Sequence, residues 1–407
     1  MASIQVSGLG WKLPSGQELF RDISFSVGNG ERVALVGANG VGKSSLLRIL
    51  IGEQSATAGT VSIDGRLGVM RQLVGMGDAD GVGPGTVRQL LVSLSPERIS
   101  EADRRLSLAM HHLETDPMKY ANALGAWGDV GGYDIEVQWD EACGRALGAD
   151  LAEVAERPLR TLSGGEQKRL ALEFLLRGED DILVLDEPDN FLDVPAKRWL
   201  ERQLAATRKT VVFVSHDREL LAASATKIVT IEASGAWSHG GGFATYAEAR
   251  KSHAAKRAHD TALFDDEKQR LEDYVKLMRQ RASISEAFAP KLKAAESKLR
   301  QFLEKNERPP ELRDQKIDVQ LRGARTGKRA VVIEQLEVAG LTEPFDLELW
   351  YGERVAVLGG NGDGKSHFLR LLVGRVVASG SERGGGAVPP DPRAPRVGRT
   401  HPGRDPA

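Results

Sequence analysis

Several things are scarce in this chain of 407 residues, and each scarcity removes a class of protein. Cys143 is the only cysteine, which excludes an internal disulfide and a cysteine-rich zinc site and fits a reducing compartment. The formal net charge is −2, so no overall field draws in nucleic acid or anionic lipid, and any such binding has to come from a local patch. No stretch approaches the roughly 18 apolar residues of a membrane helix, and no membrane insertion is expected. The start, Met1-Ala2-Ser3-Ile4-Gln5, lacks the charged segment and apolar run of a secretory leader, so a cytoplasmic location is the expectation. What is present, 41% apolar content over this length, is enough for two or three domains with ordinary buried cores.

The stretch that organises the rest is Gly37-Ala38-Asn39-Gly40-Val41-Gly42-Lys43-Ser44, which fits G-x-x-x-x-G-K-[ST]. Before it, Val33 to Val36 form an apolar run of the kind a buried parallel strand makes. After it, Leu46, Leu47, Ile49, Leu50 and Ile51 make one helical stripe. The glycines let backbone N–H groups turn inward, where a Cβ would block both the turn and the approach of an anion. Lys43 would then reach the β and γ phosphates of a nucleotide, and the Ser44 hydroxyl would hold Mg²⁺. A second copy, Gly359-Gly360-Asn361-Gly362-Asp363-Gly364-Lys365-Ser366, follows Val355 to Leu358 and precedes Phe368, Leu369, Leu371 and Leu372. The repeat is longer than the loop: Gly30 to Gly37 reappears almost letter for letter as Gly352 to Gly359, and alternating strands, Ile23 to Val27 and Phe345 to Leu349, precede the two copies. The chain begins the same domain twice.

Within the first copy, Thr60 to Gly65 reads as a strand and turn, and Leu67 to Met70 as a short strand ending near Gln72. The Gln72 amide could serve Mg²⁺ or an attacking water, or be a plain turn residue. Gly75 to Gly85 reads as a loop. Helices are predicted over Pro96 to Leu113, with Ser95 as a cap, and in a more broken form from Pro117 to Leu147. His111 and His112 have no partner at metal spacing and read as a solvated helix face. Further on, Ser163-Gly164-Gly165-Glu166 opens the helical run Lys168 to Leu176, placing free N–H groups and a dipole end where an anion can sit. About fifteen residues later Asp181 to Pro188 forms an apolar strand that ends in Asp186 and Glu187. Successive side chains on a strand point to opposite sides, so these carboxylates need different partners, one Mg²⁺ and one the attacking water. Phosphoryl transfer to water requires that pair. Thr210 to Val214 is another apolar strand, ending near His216, which could contact the γ-phosphate. A lone His after a strand is usually structural, but the neighbouring elements all point to one nucleotide site.

These residues resemble the ATP-binding cassette superfamily, and most closely its ABC-F class, in which two cassettes lie in one chain without membrane helices. The resemblance implies an α/β fold: a P-loop NTPase cassette with a helical subdomain, then an α-helical hairpin linker and an incomplete second cassette. It implies ATP and Mg as cofactors. It implies a phosphate loop at Gly37, Asn39, Gly40, Gly42, Lys43, Ser44 and Ser45, with Gln72 as the Q-loop residue and Ser163 to Glu166 as the signature. Asp186 would serve as metal ligand with Ser44 and Gln72, Glu187 as base, Asp193 in the D-loop and His216 as the switch histidine. Trp11 precedes the loop at the distance of an adenine-stacking aromatic, though an edge-strand Trp packed on the core reads equally well. Asp189-Asn190-Phe191-Leu192 departs from the Thr-Asn-His-Leu common in the class. In the second copy Gly359, Asn361, Gly362, Gly364, Lys365 and Ser366 would bind nucleotide, and His367 stands where the first copy has Ser45.

The expected domains are 1–247, the first cassette; 248–328, hairpin and connector; 329–378, the start of a second cassette; and 379–407, a disordered Gly/Pro/Arg-rich tail. Leu263, Leu271, Tyr274, Leu277 and Met278 give one helical stripe, and Leu292, Ala295, Leu299 and Phe302 another, so two helices fold back on each other. Basic residues outnumber acidic ones there, and Lys276, Arg279, Arg281, Lys291 and Lys293 gather near the tip. Such charges dominate contact with a phosphate backbone. The resemblance implies that this linker reaches toward the ribosome and its tRNA; the alternative is a solvated spacer. After Gly374 no second signature or catalytic strand follows, and the expectation is a truncated or shifted reading frame. The leading reading is an ATPase acting on the ribosome, as a translation factor or in antibiotic resistance. The alternatives are a transporter's nucleotide-binding subunit, or an ATP-binding fragment with little hydrolysis unless two chains pair their first cassettes as a homodimer.

Overall fold

Short runs such as Val33 to Val36, Ile182 to Leu185 and Val211 to Val214 are apolar throughout, because each forms a strand covered on both faces. The computed structural model describes residues 2–71, 85–232, 234–306, 308, 329–337, 342–360 and 363–372, and the chain divides into two units, 1–320 and 321–407. Gln72, the loop up to 84, the connector 309–328, Asn361, Gly362 and the tail lie outside the described residues.

In the first unit β1 (Ser3–Lys12) pairs antiparallel with β2 (Glu18–Val27). Next come β3 (Arg32–Gly37), the loop, and α1 (Lys43–Leu50), after which β4 (Ala58–Asp64) returns to β1 and completes a sheet of order β2-β1-β4. A short strand, β5 (Leu67–Met70), precedes the helices α2 (Val87–Leu94), α3 (Glu97–Met110), α4 (Pro117–Asp129), α5 (Gly132–Leu147) and α6 (Leu151–Val154). Then α7 (Gly164–Arg177), β6 (Ile182–Asp186), α8 (Val194–Ala206), β7 (Thr210–Val214), α9 (Arg218–Ser224), β8 (Lys227–Glu232) and β9 (Gly235–His239) alternate. The second sheet has the order β5-β6-β7-β3-β8-β9, parallel except for β9.

Strand alternation divides the core in two. Val33, Leu35, Val184, Val212, Val214 and Val229 face β1, β2 and α1, packing with Ile4, Val6, Phe20, Ile23 and Leu46. Ala34, Leu183, Leu185, Val211, Phe213 and Ile228 face the opposite helical layer, with Leu170, Leu172, Leu200 and Leu220. In the helical subdomain Arg88 of α2 binds Asp103 of α3 at 2.9 Å and Glu136 of α5 at 3.3 Å, and its guanidinium lies over the rings of Trp127 and Trp139. Cys143 is buried in the same layer, and burial pushes its thiol up to about 12. Ser95 does not cap α3. It ends α2, donating to Leu91 O at 2.7 Å and accepting from the Trp139 indole at 3.2 Å. The N-cap of α3 is Pro96, and His111 and His112 are exposed where that helix ends.

The hairpin comprises α10 (Tyr246–Ile284), a 3-10 turn at Glu286–Phe288, and α11 (Ala289–Lys305). At 1.5 Å per residue α10 is about 58 Å long. Its buried stripe is Leu271, Val275 and Met278, against Ala295, Leu292 and Leu299, with Phe264 on Phe302 at 5.1 Å. Leu263, Tyr274 and Leu277, expected in the stripe, are exposed. The spacing of Leu271, Val275 and Met278 is i, i+4, i+7, and only one such line can face a single partner helix. At its base the Tyr246 hydroxyl bonds Thr230 Oγ1 of β8 at 2.9 Å, Trp237 of β9 stacks on His253 at 4.5 Å, and Arg257 pairs with Glu232.

In the second unit β10 (Arg329–Leu336) and β11 (Phe345–Trp350) form an antiparallel pair, followed by α12 (Lys365–Leu372), whose Phe368 lies 5.7 Å from Phe345. Val355 to Leu358, expected as a buried strand, is not one: Val355 is 53% and Leu358 88% exposed. In the first unit the same run is held between β7 and β8, and the described residues of the second unit offer no such flanks.

Candidate functional site

Parallel strands all open in one direction, so the residues that follow β3, β6 and β7 emerge together at one edge of the sheet. After β3 comes the loop. Gly37 is required there because a Cβ would come 2.7 Å from Ile231 O of the neighbouring strand. Gly42 is required twice over: its φ is +100°, and a Cβ would meet Leu19 Cδ2 at 2.6 Å and Phe20 Cδ1 at 2.8 Å. Ala38, Asn39 and Gly40 are exposed on the rim, with Gly40 at φ +78°. Lys43 is buried, and its Nζ donates to Gly37 O at 3.0 Å and Ala38 O at 3.1 Å. Burial holds the Lys43 ammonium below the usual lysine range, against the pull of Glu187 and Asp186. Ser44 and Ser45 are half-buried in the first turn of α1.

Asp186 ends β6 opposite Val214. Burial pushes its carboxyl up; the Ser44 hydroxyl bonds to it and acts downward, and Glu187 beside it acts upward. Its Oδ1 is buried without a hydrogen-bond partner. A buried carboxylate oxygen with no donor, beside the loop serine, suits a hard cation, because Mg²⁺ takes its ligands from oxygen. The residues present therefore fit Mg²⁺ with a nucleotide: Ser44 and Asp186 would hold the metal and Lys43 the phosphates.

Glu187 adopts φ +49°, in the left-handed region that non-glycine residues seldom occupy. Its N–H donates to Val214 O at 3.0 Å, tying it to the end of β7. The Asn190 amide donates to Glu187 Oε2, and His216 Nε2 lies 3.9 Å from Glu187 Oε1. His216 itself is exposed. Its neighbour Asp217 caps α9, accepting from Glu219 N at 2.9 Å, and is paired with Lys197 of α8 at 2.7 Å. Asp193 caps α8, accepting from Ala196 N at 3.0 Å.

The Ser163 hydroxyl accepts from Glu166 N at 3.2 Å while Glu166 Oε2 accepts from Ser163 N at 2.6 Å, a reciprocal cap on α7. Ser163 and Gly164 are exposed and Gly165 is buried. Trp11 is half-buried on β1 with its ring 6.5 Å from Phe20, the residue that crowds Gly42. Trp11 thus flanks the loop from the antiparallel sheet. The second-copy residues Gly359, Gly364, Lys365 and Ser366 keep the same local form: Lys365 Nζ donates to Gly359 O at 2.9 Å and Gly360 O at 2.6 Å.

Sequence reasoning missed Lys168, which it took as the first residue of a helical run. That side chain is 1% exposed, and its Nζ donates to Glu187 O. The signal available was Asp189 and Phe191, two departures that both lie beside it.

A family model described as ABC transporter matches residues 20–190. An antibiotic resistance protein of Mycobacteroides abscessus is 49% identical over 384 residues, 91% of this chain and 68% of that protein. The tylosin resistance ATP-binding protein TlrC of Streptomyces fradiae is 34% identical over 245 residues, 58% of this chain and 43% of that one. The energy-dependent translational throttle protein EttA of Mycobacterium tuberculosis is 27% identical over 390 residues, 90% of this chain and 65% of that protein. The chain spans about two thirds of the length of the first and third of these relatives and less than half of the second. Among the described residues no helix is long and apolar enough to cross a membrane.

Proposed function

The chain belongs to the ABC-F class of the ATP-binding cassette family, and from that premise we propose that it binds ATP with Mg²⁺ at the first cassette, hydrolyses it to ADP and phosphate, and acts on the ribosome. The observation that carries the chemistry is the meeting, at one sheet edge, of the Lys43–Ser44 loop, the unpartnered Oδ1 of Asp186, and the Glu187 carboxylate with His216 3.9 Å away. Lys43 leaves the loop carbonyls for the β and γ phosphates. Glu187 accepts the proton of the attacking water, and His216 donates toward the γ-phosphate. Ser44 and Asp186 would hold Mg²⁺, which would supply positive charge against the phosphates. Gln72 completes the set from outside the described residues, and Trp11 stacks on the base.

The ribosome as partner is supported by the hairpin, whose exposed Lys276, Arg279, Arg281, Lys291 and Lys293 gather near its turn, and by relatives whose names refer to antibiotic resistance and to translation. The same charges support the proposal of contact with tRNA through that tip. If two first cassettes pair, each presenting Ser163 to Glu166 to the loop of the other, turnover by this chain is expected to rise with concentration. Co-sedimentation tests the partner: with ATP present, Glu187→Gln should pellet with 70S ribosomes more completely than the wild type. Equal and negligible pelleting of both would overturn the ribosomal assignment.

A further inference from the structure

A lysine ammonium that is 1% exposed requires compensation, since an uncompensated buried charge is destabilising by several kcal/mol. Besides the attraction of the Asp186 and Glu187 carboxylates, Lys168 is met by three groups from the segment that follows β6. Its Nζ donates to the backbone carbonyl of Glu187. The carboxylate of Asp189, 5% exposed and with Oδ1 lacking any hydrogen-bond partner, exerts the largest attraction on it. The ring of Phe191 lies 5.7 Å from the ammonium. Phe191 itself has φ +67° and packs against the signature, where a Cβ on Gly164 would touch its Cβ at 3.5 Å.

The Glu187 carbonyl can receive this donor because of the residue's unusual backbone. At φ +49° the carbonyl accepts from Asn190 N, at 3.3 Å, and from Lys168 Nζ, while the Asn190 side chain holds the carboxylate. A left-handed glutamate is strained and persists only where its surroundings over-determine it. Lys168 supplies that from the helix which begins with the signature.

We propose that Lys168 is a positioning residue for Glu187: by anchoring its carbonyl it keeps the left-handed backbone that aims the carboxylate at the attacking water, and Asp189 and Phe191 are present in this chain because they hold Lys168 in place. The inference rests on the reading of Glu187 as the base in ATP hydrolysis. It also accounts for the two departures from Thr-Asn-His-Leu as one change, since Asp189 supplies the anion and Phe191 the aromatic face that a buried ammonium needs.

Lys168→Met keeps length and removes the donor. It is expected to lower kcat at least ten-fold with KM for ATP within two-fold, and to add nothing further in a Glu187→Gln background; a loss that multiplies with that of Glu187→Gln would show a general structural effect and overturn the proposal. Phe191→Ala, at a position 61% exposed, serves if Lys168→Met does not fold, and should lower kcat several-fold with the same silence beside Glu187→Gln. A crystal structure of whichever variant folds decides the matter without turnover: residue 187 leaving positive φ supports the proposal, and residue 187 unchanged overturns it. If the wild type shows no Mg²⁺-dependent hydrolysis, the reading of the site as an ATPase fails, while the backbone at 187 still reports on Lys168.

Discussion

His216 Nε2 and Glu187 Oε1 stand 3.9 Å apart although 29 residues of chain separate them, because β6 and β7 are paired in register through Asp186 and Val214. The carboxylate is held on its other oxygen by Asn190 and the imidazole is exposed, so both can turn to the same water or phosphate.

Removing either should therefore separate binding from turnover. Glu187→Gln is expected to reduce kcat by about 10²–10⁴-fold, the usual contribution of a positioned general base, with nucleotide affinity nearly unchanged. His216→Ala should lower kcat less, by about ten-fold, in steady-state ATPase assays beside equilibrium nucleotide binding.

Asp186 should carry the metal dependence. Asp186→Asn keeps the shape but removes the anion, and is expected to abolish the gain in ATP affinity that Mg²⁺ gives the wild type, while affinity in EDTA stays similar. Isothermal titration with and without Mg²⁺ measures both values.

Two glycines of the loop should respond differently to alanine. At Gly42 a Cβ meets Leu19 and Phe20 side chains below 3 Å and the backbone is left-handed, so Gly42→Ala should destabilise by about 1–3 kcal/mol and abolish nucleotide binding. At Gly40 no atom lies within 4 Å, leaving only the left-handed penalty of about 1 kcal/mol. Urea melts of the two variants should rank them in that order.

Acid should act through Asp217. Burial pushes this carboxyl up, but the Lys197 ammonium and the Glu219 and Leu220 N–H groups outweigh it and hold it below the usual carboxylate range. A carboxyl depressed in the folded state contributes stability above its unfolded pKa, near 3.9, and that contribution is lost as pH falls through the folded value. Asp217→Asn still caps α9, so its deficit in melting temperature at pH 7 should begin to shrink only below about pH 4 and close as the pH falls through the lower folded-state value.

The candidate site was legible in the sequence where one residue type at one spacing has few alternatives. The loop needs Gly37 and Gly42 because nothing else fits beside Ile231 and Phe20, and Asp186 and Glu187 end an apolar strand that could only be buried. Lys168 was not legible, since a lysine in an amphipathic helix ordinarily faces water, and its burial arises from the chain folding back over it after β6. Val355 to Leu358 shows the converse. It shares the pattern of Val33 to Val36, yet an apolar run becomes a buried strand only when others flank it. Strand order was equally silent, because the partners of β3 come from residues 210–231, far along the chain.

That order also sets a timetable for synthesis. Residues 37–44 of the loop leave the ribosome early, but the strand that carries them acquires its neighbours only after about 180 further residues have been joined, when β7 and β8 emerge. At about 5–20 residues per second the interval is roughly 10–40 s. Throughout it Val33 to Val36 is an unpaired apolar segment on a nascent chain, with little to bind a nucleotide and much to attract a chaperone.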